Sequence, residues 1–152
     1  MAFFGLFKKK KKIILHDELF GEIRFLDFGK HDSYFESKVN FSPDGHPIDC
    51  LIPADESGPT EHQRAFYRQL QQNYPAYTEK VKHLIEEEFR HFNEEFIIVD
   101  FSKELELEHI RLPQPEKPDY EWELAFSSVH DDNHLITIGF IGEEPDEVHI
   151  DG

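Results

Sequence analysis

The stretch that decides the fold is YFESKVNFSPDGHPIDCLI, residues 34–52. In its first half Phe35, Val39 and Phe41 alternate with polar residues, as in a strand that buries one face. Ser42-Pro43-Asp44-Gly45 then favours a turn, because proline fixes φ at its position and glycine accepts a positive φ. The remaining residues return as the next strand. The stretch therefore predicts an antiparallel hairpin with one apolar face.

Strands are also predicted on both sides of this hairpin. Phe20–Phe28 alternates in the same way, so residues 13–52 form an N-terminal meander. Leu135–Ile141 is rich in β-branched and aromatic residues, as in a central buried strand. A C-terminal meander is predicted from strands at Glu108–Leu112, Tyr120–Val129, His134–Ile141 and Val148–Ile150.

Two amphipathic helices are predicted between the meanders. Thr60 and Gln63 have the spacing of a capping box and begin a first helix that ends at Asn73. Pro75 suits the first turn of a second helix, which ends at Phe92 or Phe96. The predicted fold is α+β: an antiparallel sheet formed by the N-terminal and C-terminal meanders, with a central helical hairpin packed on it.

Length and composition set the domain organisation. A chain of 152 residues with 14% aromatic residues can build one core. We predict a flexible aromatic and polylysine leader, residues 1–12, and a single acidic α+β domain, residues 13–152. Cys50 is the only cysteine, so no intramolecular disulfide can form, and a cytoplasmic location is expected. The apolar runs are far shorter than the roughly 20 residues of a membrane-spanning helix.

The charge is strongly asymmetric. Residues 13–152 hold 11 Lys and Arg against 32 Asp and Glu, a net charge of −21, whereas Lys8–Lys12 are all basic. Such an acidic body repels phosphate backbones, which argues against nucleic-acid binding. It permits a basic protein partner, because opposite fields accelerate encounter, but the ordinary role of such surface acidity is to maintain solubility. The leader joins Phe3, Phe4 and Phe7 to the five lysines, a composition that also permits weak contact with an anionic membrane.

Three clusters have residue types that occur in functional sites, but each is better explained by a structural role. His83, Glu87 and His91 have helical spacing but fall on the face opposite the apolar stripe, without a further ligand. The segment His130–His134 is typical of a hairpin turn rather than a cation site. His46 and Cys50 would lie about 13 Å apart along one strand, too far for a nucleophile and its base. We therefore predict no catalytic, cofactor-binding or metal-binding residues.

Several motifs resemble those of a family of small uncharacterised bacterial α+β proteins. They are Tyr120–Phe126, Asp131–Ile138, Glu147–Gly152, Phe20–Ile23 and the helix start Pro59–Gln63. The resemblance covers most of residues 15–152 and carries no catalytic residues. It implies a weak similarity to immunity-type proteins of toxin systems, and that implication is an analogy.

These observations favour a non-enzymatic bacterial protein-binding domain, of an immunity-like kind, whose acidic surface meets a basic partner. One alternative is an accessory protein associated with the inner membrane surface through residues 1–12. Another is an unrecognised hydrolase, which would require a pocket with convergent polar groups and a perturbed pKa.

Overall fold

The computed structural model of the chain describes residues 12–29, 32–115 and 121–151. Within them lie two helices, α1 (Glu61–Phe89) and the short α2 (Phe101–Glu104). The strands are β1 (Ile14–Asp17), β2 (Gly21–Leu26), β3 (Tyr34–Phe41), β4 (His46–Pro53), β5 (Leu105–Arg111), β6 (Glu121–Ser128), β7 (Asp131–Ile141) and β8 (Glu144–Asp151). The fold is thus of an α+β kind and consists mostly of sheet.

All eight strands form one sheet in chain order, β1 to β8. Strands β1–β4 and β5–β8 are each antiparallel meanders, but β4 and β5 pair in parallel. The prediction of a purely antiparallel sheet is therefore wrong. The physical reason lies in the connection: residues 54–104, with α1, carry the chain back to the end where β4 began, as neighbouring parallel strands require.

The predicted helical hairpin is also wrong, because α1 is one helix of 29 residues with Pro75 inside it. Proline removes one backbone hydrogen bond, which favoured a break near Asn73. The apolar period, however, continues through Tyr74 and Tyr77, and both rings pack on the sheet. Packing of one unbroken apolar stripe outweighs the local cost of the proline.

The predicted start of α1 is confirmed, whereas the predicted end of α1 and the predicted start of β5 differ from the structure. The capping box at Thr60 and Gln63 is confirmed, and the hairpin β3–β4 has Gly45 at φ +71° as its turn requires. Strand β5 begins at Leu105, earlier than expected, because Leu105 and Leu107 face the core. Helix α1 ends at Phe89, so Phe92 lies outside it and is exposed.

Helix α1 covers one face of the sheet and is tied to it near both edges. Arg64 donates to the buried Asp17 carboxylate at 2.7 and 2.9 Å, which holds the β1–β2 hairpin. Lys80 donates to the Glu144 carboxylate at 2.9 Å beside β8. Between these ties lies an aromatic layer formed by Phe20, Phe41, Phe66, Tyr67, Tyr74, Tyr77, Trp122 and Phe140. Neither of the two described helices covers the opposite face of the sheet, and we call it the helix-free face.

The predicted leader falls outside the described residues except for Lys12, and so does Tyr120, the first residue of a predicted strand. In the described ranges, neither helix is both long enough and apolar enough to cross a membrane.

A candidate binding surface on the helix-free face

The stripe His83, Glu87 and His91 is not assembled into a cluster. His83 and Glu87 are exposed on α1, whereas His91 lies beyond the end of that helix. The two histidines pair with different helix carboxylates, His83 with Glu79 at 3.5 Å and His91 with Glu88 at 4.0 Å. Among residues 12–29, 32–115 and 121–151, no three His, Cys, Asp or Glu side chains are placed to hold a metal ion.

The segment His130–His134 is divided between a turn and a strand. The turn is confined to Val129 and His130, and β7 already begins at Asp131, so the predicted turn was too long. His130 Nε2 lies 2.7 Å from the Glu104 carboxylate, and His134 Nδ1 lies 2.6 Å from that of Asp131. Each histidine therefore has its own local carboxylate partner.

His46 and Cys50 also serve separate structural roles. His46 Nε2 lies 3.0 Å from the Leu107 carbonyl oxygen and links β4 to β5. Cys50 is fully buried in the core, and burial raises the pKa of its thiol. A thiol in this environment is a poor nucleophile.

The helix-free face, in contrast, brings distant polar residues into line. Strand pairing places a row of residues directly opposite one another, which puts them on the same face. Their chain neighbours Ile23, Phe35 and Leu124 are buried on the helix side. This cross-sheet row consists of Ile14, Arg24, Glu36, Leu51, Arg111, Glu123, Gly139 and Glu147.

A cavity of 890 Å³ opens on this face where β4 and β5 end. We call this side of the sheet the cavity end. Arg111 is the one cation among the described residues that line the cavity. The carboxylates in the described lining are Asp32, Asp55, Glu121, Glu123, Asp146 and Glu147. The cavity therefore has a strong excess of negative charge.

The two halves of the helix-free face differ in how this charge is balanced. On β2–β4 the charges compensate each other, because Arg24 pairs with Glu36 and Lys38 lies 3.5 Å from Asp49. On β6–β8, no Lys or Arg of the described chain forms an ion pair with Glu121, Asp146 or Glu147. The unbalanced negative charge is therefore concentrated around the cavity.

Glu123 lines the cavity as an ionised group. His109 Nε2 lies 3.7 Å from its carboxylate, and Arg111 is its neighbour across β5. The interaction with His109 and then the charge of Arg111 lower the pKa of Glu123 despite its partial burial. A cationic ligand would meet a carboxylate that is ionised near neutral pH.

Glu147 reaches the cavity because residue 139 has no side chain. A Cβ built on Gly139 would stand 3.0 Å from the Glu147 Cγ and 3.3 Å from a carboxylate oxygen. The Glu147 side chain thus lies across the bare backbone of β7. Sequence reasoning missed this pair, although a glycine inside an otherwise β-branched strand is a recognised signal of close approach.

Gln63 holds the edge of the cavity in place from beneath. It is completely buried at the start of α1, and its Nε2 donates to the carbonyl oxygens of Pro53 at 2.6 Å and Pro113 at 2.9 Å. Pro53 and Pro113 each lie two residues after the last pair of the parallel β4–β5 ladder, Leu51 and Arg111. One side chain therefore joins the ends of the two parallel strands.

Comparison with protein-family models, with curated proteins and with solved structures finds no match for this chain.

Proposed function

We propose that this chain is a non-enzymatic protein-binding domain whose helix-free face receives a basic partner at the cavity end. The observation that carries the proposal is the cavity itself, whose described lining contains six carboxylates and one cation, Arg111. An immunity-like role, in which the partner is a basic toxin protein, is the biological setting that we propose for this binding.

The chemistry of the lining supports binding in preference to nucleophilic catalysis. The described lining contains neither Cys nor His, and the buried Cys50 lies in the core on the other side of the sheet. Carboxylates such as Glu121 and Glu147 can instead accept hydrogen bonds from Lys and Arg side chains of a partner. Among the described residues, no Lys or Arg forms an ion pair with Glu121 or Glu147 that a partner would have to break.

The proposal is tested by measuring how the full chain binds fluorescein-labelled decalysine, using fluorescence anisotropy at low salt. In the cavity variant, Glu121→Gln, Glu123→Gln and Glu147→Gln are combined. We expect about tenfold weaker binding, since each near-surface ion pair contributes roughly 0.2–1 kcal/mol. Raising the salt should diminish this difference, because the Debye length falls to about 8 Å at physiological ionic strength.

A matched control variant combines Glu87→Gln, Glu94→Gln and Glu95→Gln, which are exposed residues away from the cavity. It changes the net charge by the same amount and should weaken binding much less. Equal weakening in both variants would show that only the net charge matters, and the proposed site would then be abandoned. Gly139→Ala adds a finer comparison, because it displaces Glu147 without altering any charge.

A further inference from the structure

We infer that β8 is the docking edge for an extended segment of the basic partner, which pairs with β8 as one more strand of the sheet. The segment alternates basic and apolar residues. The inference rests on the proposed function, because it gives the same partner a defined mode of contact beside the cavity.

Strand β8 is an edge strand with a regular ladder. It is the last strand of the sheet, and in the part of the chain that the structure describes only β7 pairs with it. Residues 147–151 pair with β7 in continuous register, from Gly139 opposite Glu147 to Leu135 opposite Asp151. In an antiparallel ladder alternate residues bond to the neighbouring strand, so every second N–H and C=O of this stretch points outward. Strand addition uses these groups. The other edge strand, β1, has only four residues.

The two faces of this stretch differ in chemistry. Glu147, His149 and Asp151 project from the helix-free face, since Glu147 belongs to the cross-sheet row and strand residues alternate. Val148 and Ile150 project from the helix side, where they pack on the core and keep part of their surface exposed. A partner strand that matches both faces has basic residues opposite the carboxylates and apolar residues beside Val148 and Ile150.

The charge of β8 favours such a segment over a second copy of this chain. Strand β8 has four carboxylates and neither Lys nor Arg. Pairing of two β8 strands would bring carboxylates close to carboxylates, and like charges across a ladder are destabilising. Pro145 has no N–H, and the register shift between Gly139 and Phe140 interrupts the ladder before Glu147. The edge is therefore protected against self-pairing, while residues 147–151 remain open to a cationic strand.

This edge is continuous with the cavity. Asp146 and Glu147 line the cavity from β8, and Glu147 lies across the bare backbone of Gly139. Within the described ranges, no Lys or Arg forms an ion pair with Asp146, Glu147 or Asp151. A basic side chain of the added strand opposite Glu147 therefore meets a cavity carboxylate that has no basic residue beside it.

The first test uses the fluorescein-labelled heptapeptide Lys-Val-Lys-Val-Lys-Val-Lys and two forms of it, N-methylated on the valines or on the lysines. Fluorescence anisotropy measures binding to the full chain. An added strand directs alternate N–H groups to its neighbour, so one methylated form should bind about tenfold more weakly and the other about as well as the parent peptide. Equal binding of the two methylated forms would overturn the inference, because binding would then not depend on one set of backbone N–H groups.

Hydrogen exchange of the protein amides locates the added strand. When the parent peptide binds, every second amide of residues 147–151 should exchange about tenfold more slowly, because it gains a hydrogen bond. The amides of β1, at the other edge, should not change. Absence of protection at residues 147–151 would refute docking on β8. A dimer of the chain that protects the same amides without peptide would show that a second copy is the occupant instead.

A charge-reversal variant tests the choice of partner. Glu147→Lys combined with Asp151→Lys should weaken binding of the heptapeptide about tenfold, since two attractive cross-strand contacts become repulsive. The matched control combines Glu87→Lys with Glu94→Lys, at exposed positions away from β8, and should weaken binding much less. Equal weakening in the two variants would mean that net charge alone is responsible, which contradicts pairing of this segment with β8.

Further substitutions separate strand addition from binding in the cavity. Suppose that the two methylated peptides bind equally while Glu121→Gln with Glu123→Gln still weakens decalysine binding. Strand addition then fails and the proposed function stands. Suppose instead that one methylated peptide binds selectively and residues 147–151 are protected, but decalysine binding ignores these two substitutions. The cavity then fails as the binding site, whereas docking on β8 stands.

Discussion

The side chain of Gln63 offers the sharpest test of how this fold is held together. Its amide nitrogen donates to Pro53 and Pro113, and its amide oxygen accepts from the Thr60 N–H at 3.0 Å in the capping box. Gln63→Met keeps a similar volume but removes both donors and the acceptor. Two carbonyls and one N–H are then left without this partner inside the protein.

The size of the effect follows from these lost contacts. A buried polar group without a partner costs about 1–3 kcal/mol, whereas the bond from the Gln63 backbone N–H to the Thr60 hydroxyl is kept in the variant. Carbonyl oxygens tolerate loss of a partner better than N–H groups do, so we expect Gln63→Met to lower the free energy of unfolding by about 3–5 kcal/mol. That is a large part of the roughly 5–15 kcal/mol that stabilises a typical domain.

The measurement is equilibrium unfolding in urea, followed by the fluorescence of Trp122, the only tryptophan. Gln72→Met, at an exposed position of the same helix, is the control and should change stability by no more than about 0.5 kcal/mol. Gln63→Glu keeps the capping acceptor but places a carboxylate against two carbonyls, so it should destabilise at neutral pH and recover partly on acidification. A loss below about 1 kcal/mol for Gln63→Met would refute the role assigned to this residue.

Two further substitutions test the ties between helix and sheet. Burial alone would raise the pKa of Asp17, but hydrogen bonds from Arg64 and from two backbone N–H groups outweigh it and lower that pKa from its ordinary value. Asp17→Asn should cost about 2–3 kcal/mol in urea unfolding, less than for a fully buried pair because Arg64 is partly exposed. The difference in free energy of unfolding between the wild type and Asp17→Asn should be complete above about pH 4. It should disappear as the pH falls through the pKa of Asp17 in the folded state. The control Glu61→Gln should show neither the loss of stability nor its pH dependence. Tyr67→Phe should leave stability unchanged or raise it by about 1 kcal/mol, because the buried Tyr67 hydroxyl has no hydrogen-bond partner in the described structure; a loss above about 1 kcal/mol in thermal unfolding would contradict this.

The elements that could be predicted from the sequence are those that depend on neighbouring residues. The β3–β4 hairpin follows from its alternation and from the Ser42–Gly45 turn, and the start of α1 follows from the spacing of Thr60 and Gln63. Each of these signals acts within one turn or one strand. They survive in the folded chain because the tertiary contacts agree with them.

The predicted break near Pro75 failed for the opposite reason. A proline is a strong local signal, but its cost of about 3 kcal/mol is smaller than the packing of several aromatic rings on one platform. Tyr74 packs on Phe41 and Tyr77 packs on Trp122, so a helix that continued through Pro75 buried both. The helical spacing of apolar residues is visible in the sequence. How much it stabilises the helix depends on packing against the sheet, which the local pattern does not show.

The candidate surface was beyond prediction because its residues are far apart in the chain. Arg111, Glu123 and Glu147 become neighbours only through the pairing of β5 to β8, and a shift of one residue would turn each to the other face. The stripe of His83, Glu87 and His91 was visible in the sequence because its members are close, and the fold leaves it dispersed. Closeness in sequence was a poor guide to which polar residues would meet.

The amino-acid sequence by itself determined the acidic charge, the basic leader, the two meanders and the capped start of the helix, because composition and local periodicity are properties of short segments. Only the tertiary structure decided that β4 and β5 pair in parallel, that α1 passes through Pro75, and that six carboxylates line one cavity together with Arg111. These features depend on free energies of contact between distant segments, which are known only when the register of the whole sheet is known.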